Sequence, residues 1–240
     1  MPLEPSNNYT ISPIGEVISP FKEKFGIPRQ PKICTLISEI KLTGDANNLD
    51  CLAGIEQNSH IWVLFLFHQN LSQGWKPKVR PPRLGGNEKV GVFATRSSFR
   101  PNGIGMSAVK LLDVEQRHGE CFVKVEGLDL VDGTPIIDIK PYVPYSDLLE
   151  DASSEIAPDA PDALITVNFT PELEPQLVSL ERKYAGLTQL ITQVLEQDPR
   201  PAYKKSKHDA KVYGIRLYDL NIRWRVTHNI CQIISIEQES

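Results

Sequence analysis

The chain has 240 residues, of which 40% are apolar and 23% charged, and a formal net charge of −4. This composition excludes a disordered chain, which lacks the apolar content to build a core. The negative balance excludes a general polyanion binder unless positive charge is gathered locally.

The opening segment, Met1-Pro2-Leu3-Glu4-Pro5, has neither the basic flank nor the apolar stretch of a secretory signal, so a cytoplasmic protein is expected. Short segments rich in branched and aromatic residues follow, divided by Gly, Pro and Asn: 11–17, 34–42, 61–67, 90–95, 106–114, 121–128 and 136–141. Each has strand length and composition. Seven short strands without helices between them predict a barrel or sandwich over residues 1–143. The run from Ile61 to Phe67 is the longest apolar stretch, far shorter than the roughly 20 residues of a spanning helix, so no membrane association is expected. Leu49, Leu52, Ala53 and Glu56 have helical spacing, and Asn47 or Asn48 is placed to cap them.

From Tyr145 to Asp162 the composition turns acidic, with no Lys or Arg. This predicts a linker over residues 144–168. Thr170-Pro171-Glu172 then starts a helix. Leu173, Leu177, Leu180, Tyr184, Leu187, Ile191, Val194 and Leu195 recur at three- and four-residue intervals, predicting one long helix that ends before Asp198-Pro199. Segments 212–218, 222–226 and 230–236 read as strands, with a turn at Asp219-Leu220-Asn221. Residues 169–240 are therefore expected to form a small α+β domain.

Cys34, Cys51, Cys121 and Cys231 form no C-x-x-C pair, and the five histidines miss metal-ligand spacings. The cysteines are expected to be reduced and mostly buried, and no metal is expected. Two basic clusters could supply local positive charge: Lys76, Lys78, Arg80, Arg83, Arg96 and Arg100, then Lys204, Lys205, Lys207, Lys211, Arg216, Arg223 and Arg225.

The densest unusual stretch runs from Arg80 to Gly105. Four arginines, several turn residues and a Gly-Gly pair surround one apolar strand there, the pattern of a binding loop with guanidinium forks for carboxylate or phosphate. Gly103-x-Gly105 lacks the third glycine and the βαβ context of a dinucleotide fold, so that architecture is disfavoured. Leu128 to Pro135 carries Asp129 and an Asp132-Gly133 turn. Asp138 lies inside an Ile-rich strand, where its carboxylate must be hydrogen-bonded or charge-paired; a structural and a chemical role are both open to it. His68-Gln69-Asn70 closes the apolar strand. Polar groups at several strand ends suggest a small-molecule pocket for an anionic or zwitterionic ligand.

These stretches resemble the TrmO, or TsaA-like, family. The likeness is carried by Lys22 to Phe25, Pro28 to Pro31, His68-Gln69, Arg80 to Asn87, Gly91 to Asn102, Leu128 to Tyr142 and Asp198 to Tyr203. It implies a mainly β protein: a single-sheeted antiparallel β-barrel followed by a small α+β domain, assembled as a homodimer. It also implies S-adenosylmethionine-dependent methylation of N6 of threonylcarbamoyladenosine at position 37, beside the anticodon of threonine tRNA. Cofactor contacts then fall on Pro28, Arg29, Gln30, His68, Gln69, Arg96, Met106, Leu128, Asp129, Leu130, Val131 and Asp132. Gly103 departs from the proline expected in many relatives, which should leave Ile104 to Met106 more flexible.

Methyl transfer of this kind calls for positioning and exclusion of water rather than a metal. The N6 lone pair is delocalised, so a base would help, and Asp138 is the candidate. Arg83, Arg100 and Arg200 are available to fork the substrate carboxylate. Lys204, Lys205 and Lys207 are placed to meet phosphates, and Tyr203 or Trp224 to stack on a base. Alternatives are a non-catalytic S-adenosylmethionine-binding regulator and an RNA-binding module.

Overall fold

Alternating burial organises the first sheet. In chain order the first eight strands are β1 (Gly15–Ile18), β2 (Ile37–Leu42), β3 (His60–Leu66), β4 (Lys78–Val79), β5 (Val90–Gly91), β6 (Ile104–Arg117), β7 (Glu120–Glu126) and β8 (Pro135–Pro141). A computed structural model of the protein describes residues 9–28, 30–31, 33–81, 88–157, 164–200 and 211–239. In β3 every second residue, Ile61, Val63 and Phe65, is buried, as a sheet with one face on a core requires. These meet Val17, Ile40, Val109, Val123, Val125 and Ile136 in the first core.

The strands pair antiparallel in the order β1-β2-β7-β6-β3-β8, and β1 also pairs with β8, so the sheet closes. Antiparallel neighbours send alternate connections to opposite ends. The β1–β2, β3–β6 and β7–β8 connections therefore all emerge at one end. The β3–β6 connection folds back on itself through the β4–β5 hairpin. Of the predicted 90–95 strand only two residues pair; Val92 to Ala94 form a 3-10 turn.

The expected helix near Asn48 is instead a pair of 3-10 turns, Leu49–Leu52 and Ile55–Gln57, with the Asn48 side chain capping the first. Within the expected linker, α1 (Pro144–Asp147) is a single turn tied to the barrel: Asp147 Oδ2 accepts from Trp62 Nε1 at 2.9 Å. Its last residues contribute to β9 (Thr166–Phe169), a strand the acidic composition hid, which pairs parallel with β12 (Ile230–Gln238).

The predicted long helix is two: α2 (Glu174–Lys183) and α3 (Leu187–Glu196). Gly186, at φ 80°, adopts a left-handed conformation that breaks the rod before α3. The remaining strands, β10 (Tyr213–Leu217) and β11 (Leu220–Thr227), complete a sheet in the order β10-β11-β12-β9. The β10–β11 turn is at Tyr218-Asp219, one residue earlier than expected, because Leu220 is buried and already paired with Leu217. Lys183 Nζ and Gln238 Nε2 donate to Asp219 Oδ2 at 2.8 and 2.7 Å, and these bonds hold its carboxyl well below the usual carboxylate range.

The second core is not confined to the carboxy-terminal third. Phe21, Cys34 and Leu36, all from the β1–β2 connection, are buried in it with Trp224, Ile215 and Leu195. Phe21 bridges to Leu217, and Pro20 accepts from Tyr218 N at 2.8 Å. Burying Phe21 alone contributes about 1.5–3 kcal/mol. Burial pushes the thiols of Cys34 and Cys231 up to about 12; Cys121 is also buried, and Cys51 is exposed.

Gly26 shows how tightly this connection is held. At φ +88°, a Cβ there would stand 2.1 Å from Ile215 Cδ1. Gly26→Ala is expected to cost about 1–3 kcal/mol through backbone strain and overpacking. Gly44→Ala, also at positive φ but facing open space, should cost clearly less; comparing denaturant unfolding of the two variants checks this.

Candidate functional site

The three connections that share an end of the barrel enclose a cleft of about 570 Å³. That volume lies within the roughly 300–1,000 Å³ of small-ligand sites. Trp62, Leu64, Phe65, Phe67, Met106 and Leu130 supply an apolar wall. The Phe65 and Phe67 rings meet edge to face at 5.2 Å, and they pack so closely on Gly105 that a Cβ there would lie 2.4 Å from Phe65.

The polar residues come from all three connections. Lys24 Nζ, from the β1–β2 connection, donates to Asn70 Oδ1 and, at 3.3 Å, to the Gln69 carbonyl. Asn70 is itself buried and donates through Nδ2 to Ser98 Oγ at 2.5 Å. Arg96 Nη1 donates to Gln30 Oε1 at 2.7 Å, and Arg100 Nη1 to the Thr95 carbonyl at 2.7 Å. From the β7–β8 connection comes Asp129, whose Oδ1 accepts from Ser107 Oγ on β6 at 2.8 Å. Burial raises the Asp129 carboxyl above its ordinary range, while the Ser107 hydroxyl and the Arg96 charge oppose that rise. Lys24, His68, Arg96 and Arg100 are the other ionisable groups lining the cleft among the described residues, so Asp129 is its one carboxylate.

Two family models match. The tRNA-methyltransferase O N-terminal domain covers residues 16–148, and the TrmO C-terminal domain covers 162–239. The chain belongs to the TrmO family. The tRNA (adenine(37)-N6)-methyltransferase of Escherichia coli (strain K12) is 49% identical over 96% of this chain and 99% of its own. Its namesake from Eikenella corrodens is 40% identical over 74% and 96%. A crystal structure of TrmO from Pseudomonas aeruginosa superposes with a TM-score of 0.79 at 36% identity, covering 96% of this chain and 99% of that one.

In this TrmO-family chain Pro28, Gln30, His68, Gln69, Arg96, Met106, Asp129, Leu130 and Val131 all line the cleft, as does Arg100. Leu128 and Asp132 do not. Leu128 is buried in the barrel core. Asp132 staples two connections, accepting from Ser19 N at 2.9 Å and pairing with Lys22 at 2.6 Å.

Asp138, the expected base, lies outside the lining of the cleft. It pairs with Lys140 at 3.0 Å with 43% of its side chain exposed, the structural reading of that carboxylate. Arg200 is removed from the cleft in a different way. Its guanidinium, 3% exposed, is held in a two-pronged contact by Asp198, so the fork expected for substrate is occupied within the second core. Trp224 is fully buried and stacked on Tyr213 at 4.9 Å, which removes it as a platform for a base. Arg29, Arg83, Tyr203, Lys204, Lys205 and Lys207 lie outside the described residues.

Gly103 sits at φ +61°, donates from its N–H to the Arg100 carbonyl at 3.2 Å and accepts from Phe67 N at 2.7 Å. Proline can supply neither that angle nor that donor. The glycine therefore makes a turn of its own, and Ile104 to Met106 beyond it are paired with Leu64 to Leu66 rather than loose.

Lys24, Asn70 and Ser98 line the cleft from stretches the sequence marked without giving those residues a role, and Ser107 lines it from outside any marked stretch. Ser107 carried one signal: a hydroxyl in an apolar strand needs a partner when buried. Asn70→Ala would leave Lys24 and Ser98 without their shared partner. The expected loss is about 1–3 kcal/mol in denaturant unfolding, together with weaker binding of any ligand whose carboxylate or amide meets Lys24, measured by calorimetry.

Proposed function

We propose that this protein transfers a methyl group from S-adenosylmethionine to N6 of adenine at position 37 of tRNA. The observation that carries the reading is the convergence of three same-end connections on one cleft, lined by cationic side chains, a carboxylate and aromatic residues. Two relatives have S-adenosylmethionine in their names. The cleft suits that ligand chemically: an apolar slot takes a flat heterocycle, Arg96 and Lys24 suit a carboxylate, and Asp129 suits a cationic or hydroxyl group.

S-adenosylmethionine supplies, when bound, an activated methyl group. The chain's own residues bind and orient it, and Phe65, Phe67 and Leu130 keep water from the reacting atoms. The finer target is threonylcarbamoyladenosine in threonine tRNA, with Arg100 beside the cleft and Arg83 available for its carboxylate. Lys204, Lys205 and Lys207 belong to the same reading as phosphate contacts. The work of such an enzyme places it in the cytoplasm.

Labelled S-adenosylmethionine incubated with bulk tRNA, with and without the threonylcarbamoyl group, should label N6-methylated threonylcarbamoyladenosine only in the first case. Label on unmodified adenine would remove the finer target. No label on either RNA would remove the function.

A two-fold homodimer completes the reading. It is supported by Leu71, Trp75 and Phe93 of the β3–β6 connection and Met106 of the cleft lining, all at least half exposed. Sedimentation should give twice the chain mass of 26.9 kDa, and Phe93→Asp should shift it toward one chain mass.

A further inference from the structure

We infer that Asp129 is the catalytic group that takes the N6 proton during methyl transfer, with Ser107 as the residue that positions it. The inference rests on the methyltransferase reading above.

Three observations point there. Asp129 is the one carboxylate lining the cleft among the described residues, where the remaining ionisable groups are Lys24, His68, Arg96 and Arg100. Lysine and arginine are protonated at neutral pH and cannot accept a proton. His68 begins the 3-10 turn after β3, and the cleft shows no hydrogen-bonded partner to orient its ring among the described residues. The carboxylate, in contrast, is oriented: Ser107 Oγ holds Oδ1 at 2.8 Å from the neighbouring strand, while no side chain among the described residues donates to Oδ2. Ser107 is itself buried on β6, opposite Val63 of β3, so this bond ties Asp129 to the barrel wall rather than to a loop.

The chemistry needs such a group. The lone pair of N6 is spread into the purine, so N6 becomes a nucleophile only as its proton leaves. N6 forms its bond to the methyl carbon as the methyl–sulfur bond breaks, and that electron pair stays on sulfur. The N6–H bond breaks, its electrons remain on nitrogen, and the proton passes to Asp129 Oδ2. Atoms and charge balance: a cationic donor and a carboxylate become a neutral thioether and a carboxylic acid, which then loses its proton to solvent at the cleft mouth.

Two forces set the proton affinity of this base. Burial disfavours the carboxylate, whereas Ser107 and Arg96 favour it. The rate of the chemical step should therefore rise with pH through the Asp129 pKa and level off above it. Removing the Ser107 hydroxyl should move that rise to higher pH.

The test is single-turnover methyl transfer to tRNA between about pH 5 and 9, with calorimetric affinities for S-adenosylmethionine and for tRNA measured on the same proteins. Asp129→Asn should slow transfer at saturating S-adenosylmethionine and tRNA by about 100-fold or more, a loss larger than any fall in either affinity, and abolish the acidic limb. Asp129→Glu should restore part of the rate and the limb. Ser107→Ala should keep most of the plateau rate with the limb shifted upward, and it carries the test alone should the Asp129 variants fail to fold. An Asn variant that transfers at the full rate, retains the acidic limb, or loses rate only in proportion to lost cofactor affinity would overturn the inference. An unsubstituted protein that labels no tRNA would instead overturn the function on which it rests.

Discussion

An antiparallel sheet that returns to its first strand must send every second connection to the same end, and the rest of this structure depends on that constraint. Residues far apart in the chain, near 28, 68, 96 and 130, reach one cleft because the β1–β2, β3–β6 and β7–β8 connections have no other end to occupy. The opposite end receives the tight β6–β7 turn and the 3-10 turns after β2, which carry no site residues. Division of labour between the two ends is thus a property of strand direction before it is a property of any side chain.

The second unit enters this arrangement through the β1–β2 connection. Phe21, Cys34 and Leu36 are buried among the residues of the small sheet and α3, so the segment carrying Lys24, Pro28 and Gln30 is anchored at both its ends in another core. Asp132 and Lys22 fasten it from the barrel side. A ligand meeting Pro28 or Gln30 therefore meets a connection held by two packed bodies, and the orientational cost of binding falls when such a segment is already ordered.

Charge within the cleft is sorted with similar economy. Cationic side chains line it, and its one carboxylate among the described residues is the group driven toward protonation by burial and held back by a hydroxyl and a guanidinium. Other charged residues that composition brought to attention are neutralised elsewhere: Asp138 by Lys140, Arg200 by Asp198, Arg216 by Glu239. An ion pair within the second core leaves Arg200 unable to meet solvent or substrate, whatever its donor count.

Periodicity in the chain determined most of the elements. Strand length and branched composition located the six strands of the barrel. The motifs from Pro28 to Pro31, at His68-Gln69, Arg96 and Leu128 to Asp132 marked the family and most of the cleft. What periodicity could not reach were features set by contacts distant in sequence. The apolar stripe from Leu173 to Leu195 reads the same for one helix or two, and only the left-handed backbone at Gly186 divides it. Thr166 to Phe169 became a strand because β12 offered an open edge. The choice between Asp129 and Asp138 was likewise invisible in sequence, since both are aspartates near apolar strands. Tertiary structure set one beside Ser107 in the cleft and paired the other with Lys140 outside its lining, contacts that chain neighbours do not determine.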